Sequence, residues 1–423
     1  MEINAVRGTR DILPDENIKW QYIEHIVRNI FARYGYTEIK TPIFERTELF
    51  IRGIGETTDI VEKEMYTFLD RKGRSLTLRP EGTAGAIRAF LEHKMFASSP
   101  LTKLFYIGPM FRYERPQAGR YRQHTQIGAE ALGSINPFVD AEIITMLINI
   151  FEHLGLKNLS VELNTVGCKE CRPVYRDKLQ EYLAASENEL CEDCKNRLTR
   201  NPLRILDCKV SSCKEIVKNV PDIADSLCSD CQKHFDSVKK YLDLVEIKYI
   251  RNKFLVRGLD YYTKTVFEIS YENLGAQNAV AAGGRYDNLI EELGGPSMPG
   301  IGFAMGIDRL VIAMDDQKIS FPKEEVDVFL AIMGEEVAKY AFNLIHILRK
   351  NDIHAEVLYE NKSLKNQFSY AGKIGSKFVI IAGENEVLKN IITIKNMETK
   401  QQSEVNLEEA IAIIKAQVDR LKV

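Results

Sequence analysis

No stretch of about 18 apolar residues runs through the chain, and its first residues lack the basic, apolar and small-residue succession of a secretory signal. Neither a membrane span nor a signal peptide is indicated, so the sequence reads as that of a cytoplasmic protein. An excess of positive charge is lacking too. Lysine and arginine number 57 against 60 aspartates and glutamates, a net charge of −3, so any contact with nucleic acid has to come from a local basic patch. Internal repeats and low-complexity stretches are absent. Cysteine is missing from most of the chain, since all eight fall between Cys168 and Cys231. Their short-spaced pairing suits metal binding or free thiols in a cytosolic chain better than disulfides.

What is there is 423 residues with 45% hydrophobic and 28% charged content, enough for two or three domains with their own cores. Residues 15–34 carry Ile18, Tyr22, Ile26 and Ile30 at helical spacing and stop at Gly35, and Tyr36 to Pro42 reads as a strand. Two apolar runs between Met65 and Leu78 flank Arg71-Lys-Gly73 as a hairpin, and Pro80 with Glu81-Gly-Thr opens a helix to about His93. Leu104 to Glu114 and Tyr121 to Gly133 form a strand pair joined by the polar loop Arg115 to Gly119, and Asp140 is expected to cap a helix to about Leu154. Strands resume at Phe254 and at Thr265 to Tyr271, and Ser297 to Ile307 runs into a helix from Asp308. These patterns predict an α+β domain on an antiparallel sheet over residues 1–320, interrupted by a helical, cysteine-bearing insertion at about 168–250. Beyond Phe321-Pro322, strands at 326–332, 355–359 and 377–383 alternate with helices at 335–350, 363–375 and 407–421. That alternation predicts a small, mostly parallel sheet covered by helices, a C-terminal α/β domain over 326–423.

Chemistry concentrates in a few stretches. The run Phe111 to Arg122 holds Arg112, Arg115, Arg120 and Arg122. On a strand, Arg112 and Glu114 project to one sheet face, where an arginine beside a carboxylate can hold a triphosphate and an amino or ribosyl group. Alone, the run also fits an exposed hairpin with a solvated basic loop. Gly300-Ile-Gly-Phe-Ala-Met-Gly-Ile-Asp-Arg309 places small residues where a strand and helix pack closely beneath a ligand, with a guanidinium fork for phosphate oxygens. Gly300, Gly302 and Gly306 with Asp327 downstream mimic a dinucleotide-binding turn, but Asp327 begins its strand rather than ending one, which weighs against that reading.

The two stretches resemble motifs 2 and 3 of class II aminoacyl-tRNA synthetases, and Gly35 to Pro42 resembles motif 1. Leu255-Val-Arg-Gly-Leu-Asp-Tyr-Tyr262 and Ala282-Gly-Gly-Arg-Tyr-Asp287 resemble the two motifs peculiar to histidyl-tRNA synthetases. The resemblance spans nearly the whole chain. It implies the class II synthetase fold, a homodimer built through motif 1, an anticodon-binding C-terminal domain, and histidine-tRNA ligase activity using ATP and magnesium. Position by position, it implies that Glu81, Thr83 and Gln126, with Gly82 beside them, hold the amino acid's α-amino and carboxylate groups. Glu130 and Tyr262, with Tyr261, would read the imidazole, whose N–H groups call for such partners. Arg112 and Arg257 would face the α-phosphate and carboxylate as the catalytic pair, with Glu114, Arg120, His124 and Arg309 completing the ATP site. Arg309 would face the γ-phosphate, and Arg115 and Gln117 the tRNA acceptor end. Two positions depart from the class pattern: His124 stands where many members stack adenine on phenylalanine, and Asp308 stands where glutamate usually precedes the motif 3 arginine.

Other readings stay open at this level. Arg257 could serve only as a salt-bridge partner of Asp260 or another acid. Lys362, Lys365, Lys373 and Lys377 recur in a stretch without acids, which suits RNA phosphates and equally a solvated helix face. The cysteines pair as Cys168/Cys171, Cys191/Cys194, Cys208/Cys213 and Cys228/Cys231, a spacing suited to structural zinc or to reduced buried thiols, and the family's catalytic steps need no zinc. A non-catalytic regulatory paralogue would be expected to lose active-site groups and the anticodon domain, whereas this chain keeps Arg112, Arg257, Arg309, both histidine-site motifs and a C-terminal β-α domain. An acyl-adenylate-forming enzyme without RNA would activate histidine and charge nothing.

Overall fold

The computed structural model describes residues 3–417 apart from 57, 276–277, 323–324, 335–336 and 361. The chain divides into two compact units, Met1–Phe321 and Pro322–Val423. Among the described residues no helix is long and apolar enough to cross a membrane.

The first unit opens with α1 (Pro14–Arg33), which has proline and acids in its first turn and Arg33 in its last. That distribution pre-sets the backbone and complements the helix dipole. The strand expected after it shrinks to β1 (Thr37–Glu38), followed by β2 (Phe44–Arg46) and α2 (Thr47–Ile54). The hairpin β3 (Tyr66–Leu69) and β4 (Ser75–Leu78) turns where expected, with Asp70 Oδ1 accepting from the N–H groups of Lys72 at 2.8 Å and Arg74 at 2.9 Å. Next come α3 (Thr83–Glu92), the ten-residue partners β5 (Thr102–Phe111) and β6 (Gln123–Leu132), α4 (Pro137–His153) and β7 (Ser160–Thr165). Asp140 does not cap α4. Asn136 does, accepting from Phe138 N–H at 2.9 Å, while Asp140 is fully buried against Arg285 and against His234 at 3.0 Å.

The insertion supplies α5 (Cys171–Ala184), α6 (Glu192–Arg200), α7 (Ser211–Val217) and α8 (Ser229–Leu244). It has no separate core. Phe235, Val238 and Leu242 of α8 sit in the main core with α1, α4 and the helix over 307–316, and α5 to α7 share a second core with α3, the strand over 263–270 and Tyr286. The chain then gives β8 (Ile250–Arg251), β9 (Thr263–Ser270), β10 (Ala279–Arg285), α9 (Leu289–Glu292), β11 (Gly300–Gly306) and α10 (Ile307–Asp316). Phe254, expected to start a strand, lies in a turn.

Eight strands form the main sheet in the order β1-β5-β6-β11-β10-β9-β7-β8. All neighbours run antiparallel except β1 with β5 and β7 with β8. A three-stranded sheet, β2-β4-β3, stands beside it. Alternation splits the sheet's two faces, since Phe267 on β9 joins the helix-covered core and its neighbour Val266 joins the second.

The second unit contains β12 (Val328–Ile332), α11 (Ala338–Lys350), β13 (Ala355–Val357), α12 (Leu364–Lys373), β14 (Phe378–Ala382), α13 (Glu384–Lys389), β15 (Ile392–Asn396), β16 (Gln402–Val405) and α14 (Leu407–Gln417). Its sheet, β13-β12-β14-β15-β16, is parallel over the first three strands and antiparallel over the last two. The expected helix start at 335–336 and the helix end at 418–421 lie outside the described residues.

Candidate active site

A cavity of about 1010 Å³ opens on the first unit, bounded by the start of α3, the loop from β5 to β6, β9 to β11, and the insertion. At its floor the Glu81 carboxylate is 4% exposed and accepts from the N–H groups of Thr83 at 2.6 Å and Ala84 at 2.9 Å. It thereby satisfies the open amides that begin α3. Burial raises its pKa, opposed by those amide bonds.

Glu130 does not line the cavity. It lies beneath Thr83 and Tyr286, which do, and is 1% exposed on β6. Its carboxyl accepts from Thr83 Oγ1 at 2.8 Å, from Tyr106 Oη at 3.1 Å and from Tyr286 Oη. Burial pushes it up to about 8, a shift that the three hydroxyl groups only partly offset. A Cβ on Gly302 would stand 1.8 Å from Glu130 Oε2, so only glycine fits above this carboxyl. Gln126 lines the cavity from the same strand, and its buried Oε1 has no protein partner. Tyr261 and Tyr262 form a buried aromatic wall, their ring centres 4.7 Å apart.

The cations come from separate elements. Arg112 and Glu114 lie beyond the end of β5, not on a shared strand face, because the chain leaves the ladder at Phe111. Arg112 is anchored by Nε donation to the Pro80 carbonyl at 2.8 Å, and Glu114 pairs with Arg120 at 2.9 Å. Arg309, in the first turn of α10, donates to the carbonyls of Ala279 and, at 3.4 Å, Gly119. Gly119 has φ +68°, a left-handed conformation suited to glycine, and a Cβ there would lie 3.1 Å from Arg309 Cγ. His124, held down to about 3 by burial and then by Arg112, Arg309 and Arg120, is a neutral ring in this cationic corner.

Arg257 pairs with Glu268, an acid of the kind the sequence left open beside Asp260, and its Nε is buried without a partner. The segment it begins is gripped by the insertion. Arg204 donates to the Arg257 carbonyl at 3.1 Å, Asn201 to Asp260 at 2.9 Å, and Arg172 to the carbonyls of Asp260 at 3.3 Å and Tyr262. Arg204 and Arg197 also reach Asp59, at 3.2 and 3.1 Å. Sequence reasoning assigned no part to Tyr106, Tyr286, Glu268 or these insertion side chains. Tyr286 alone carried a signal, since it lies inside the stretch 282–287.

Of the expected residues, Glu81, Thr83, Arg112, Glu114, Arg120, His124, Gln126, Arg257, Tyr261, Tyr262 and Arg309 face this one cavity. Gly82 and Glu130 are buried and do not line it, and Arg115 and Gln117 are exposed on the loop outside it. Cys191 and Cys208 reach its rim. In the second unit Lys362, Lys365 and Lys373 are exposed, whereas Lys377 is paired with Glu325 at 2.8 Å. Forked cations opposite buried acceptors can hold a polyphosphate beside a small polar molecule.

The family model for histidyl-tRNA synthetase matches residues 8–310, and that for an anticodon binding domain matches 327–417. The chain belongs to the histidyl-tRNA synthetase family. It is 54% identical to the histidine-tRNA ligase of Halothermothrix orenii over 96% of this chain and 97% of that one. Identity with the enzyme of the same name from Desulforamulus reducens is 52%, over 97% of this chain and 98% of that one. The crystal structure of apo S. aureus histidyl-tRNA synthetase superposes with a TM-score of 0.83 at 39% identity, covering 98% of this chain and 100% of that one. The expected fold class, an antiparallel α+β catalytic core followed by an anticodon-binding domain, therefore holds.

Proposed function

We propose that the cavity activates L-histidine with ATP and passes it to the 3′-terminal adenosine of tRNA-His. One histidine carboxylate oxygen attacks the α-phosphorus, forming the acyl phosphate bond of histidyl-adenylate as the bond to pyrophosphate breaks. A ribose hydroxyl oxygen then attacks the acyl carbon, AMP leaves with the bonding electron pair, and the hydroxyl proton is released. In this reading Arg112 and Arg257 hold the α-phosphate and carboxylate, Arg309 the γ-phosphate, and Glu114, Arg120 and His124 the rest of the nucleotide. Glu81, Gly82, Thr83 and Gln126 take the α-amino end, and Tyr261 and Tyr262 the imidazole, with Glu130 behind them holding Thr83 and Tyr286 rather than lining the cavity itself.

The observation that carries the reading is the convergence of Arg112, Arg257 and Arg309, from three separate elements, on one cavity with the buried Glu81 carboxylate at its floor. Fixed guanidinium groups neutralise charge that grows on the pentavalent phosphorus without having to reorganise. The partnerless Gln126 Oε1 and Arg257 Nε are polar atoms that a bound substrate would satisfy. Magnesium would come with ATP and screen its phosphates, and Glu64, Glu114 and Glu268 line the cavity with oxygen donors of the kind it prefers. Arg115 and Gln117 then meet the acceptor end, the second unit meets the anticodon, and the protein works as a cytoplasmic homodimer.

The test is histidine-dependent exchange of pyrophosphate into ATP, followed by charging of total tRNA. Arg257→Ala should abolish exchange, with a loss on the order of a hundredfold or more. Near-normal exchange by that variant would remove Arg257 from the reaction, and exchange without charging in the unaltered protein would leave an adenylate-forming enzyme instead.

A further inference from the structure

The cysteines that sequence spacing pairs locally regroup in space. Cys168, Cys171, Cys228 and Cys231 form one group and Cys191, Cys194, Cys208 and Cys213 another, and within each group all four sulfurs lie within 4.8 Å of one another. The separations are 3.6 Å for Cys168 to Cys171, 4.0 Å for Cys168 to Cys228 and 3.9 Å for Cys191 to Cys208. A disulfide requires sulfurs about 2.05 Å apart. Four sulfurs each about 2.3 Å from a central ion stand roughly 3.8 Å apart at the corners of a tetrahedron. The observed spacings match the second geometry. Apolar packing of thiols gives no reason for two separate fourfold convergences.

Each group is also built to hold charge. Cys228 N–H donates to Cys171 Sγ at 3.0 Å, Cys191 N–H to Cys213 Sγ at 3.3 Å and Glu170 N–H to Cys168 Sγ at 3.4 Å. Amide donation of this kind favours a thiolate over a thiol. The first group has two buried and two half-buried cysteines, and in the second only Cys191 is half-buried.

We propose that each group binds one zinc ion through four thiolates, two ions per chain, and that together they hold the insertion against the segment Arg257 to Tyr262. Loading each site exchanges four thiol protons for one divalent cation. Zinc fits because tetrahedral, all-sulfur sites select soft ions without demanding redox chemistry. The link to Arg257 follows from chain position. Arg172, which donates to the carbonyls of Asp260 and Tyr262, follows directly on Cys171. Asn201 and Arg204, which hold Asp260 and the Arg257 carbonyl, lie on the span between Cys194 and Cys208. Pinning both ends of that span fixes them, which makes them positioning residues. The metal sites stand by themselves, whereas their effect on rate rests on the ligase reading above.

The test uses the full-length protein. Elemental analysis should find two zinc ions per chain, X-ray absorption should show sulfur neighbours alone at about 2.3 Å, and cobalt substitution should give thiolate charge-transfer bands. Cys208→Ser should keep one ion and lower kcat for pyrophosphate exchange roughly ten- to a hundredfold through a displaced Arg257. Cys208→His, which keeps a zinc ligand, should restore the second ion and most of the rate. Iron in place of zinc, fewer than two ions in the unaltered protein, or disulfides on thiol titration would overturn the metal assignment. Wild-type kcat in Cys208→Ser after loss of one ion would overturn the link to Arg257. An unaltered protein that carries two zinc ions but shows no exchange would strike the ligase reading and leave the metal sites standing.

Discussion

A carboxyl group buried away from solvent keeps its proton into the neutral range even with hydroxyl donors around it, and Glu130, pushed up to about 8 by burial, is such a group. Its folded pKa lies above its ordinary value of 4.5. The stability it contributes is therefore fully present below that ordinary value and is lost as pH rises through about 8. Urea unfolding of the ligand-free protein at about pH 5 and about pH 9 should show the unaltered chain losing on the order of a few kcal/mol relative to Glu130→Gln. Matching pH profiles for the two proteins would mean that Glu130 is ionised throughout. Gly302→Ala probes the same spot by volume, because the added methyl would overlap Glu130 Oε2. Calorimetric titration with histidine should show affinity reduced by about tenfold or more, the loss of roughly one well-made hydrogen bond, while far-ultraviolet dichroism stays unchanged.

Among the elements, α4 and β10 are tied by an interaction that periodicity does not announce. Asp140 on α4 and Arg285 at the end of β10 are both 0% exposed, and His234 of α8 closes the group. Asp140→Ala would strand the Arg285 charge with Asp287 as its remaining carboxylate partner, at 3.0 Å. Equilibrium denaturation should register a loss of about 3–5 kcal/mol, and a change below about 1 kcal/mol would show that Asp287 suffices. From the sequence, Asp140 reads as a cap because an acid near a helix start is the usual cap, and nothing local reveals a partner 145 residues away. The elements that were legible are those whose apolar spacing repeats: α1, the β3–β4 hairpin, β5 with β6, and β11 into α10. β10 was hidden because Ala-Val-Ala-Ala-Gly-Gly-Arg carries few large side chains, its glycines making room for Tyr262, Phe267 and neighbouring backbone. β16 was hidden because its residues are mostly polar and exposed, with only Val405 packing against the core beside the backbone pairing. In the site, the family motifs marked side chains that face the cavity, but the groups gripping them from the insertion lie in stretches with no motif to mark them.

For the whole molecule, a net charge of −3 leaves RNA attraction to local patches. The exposed Lys362, Lys365 and Lys373 form the candidate on the second unit, with Lys377 discounted because Glu325 neutralises it. Replacing the three by alanine should leave pyrophosphate exchange unchanged, raise KM for tRNA, and lessen the salt dependence of tRNA binding by up to about 0.7–0.9 in logarithmic slope per lost phosphate contact. An unaltered slope would assign the patch to ordinary solvation. The insertion has a different kind of freedom. The part of it that carries α5 to α7 leaves and returns at the Cys168 and Cys228 sulfurs, 4.0 Å apart. A segment that leaves and rejoins a scaffold at one point can lengthen, shorten or be exchanged for another without altering the spacing of the strands it interrupts. Here Arg172, Asn201 and Arg204 limit that freedom, so a transplanted module would have to bring three donors of the same reach or leave the enzyme correctly folded and slow.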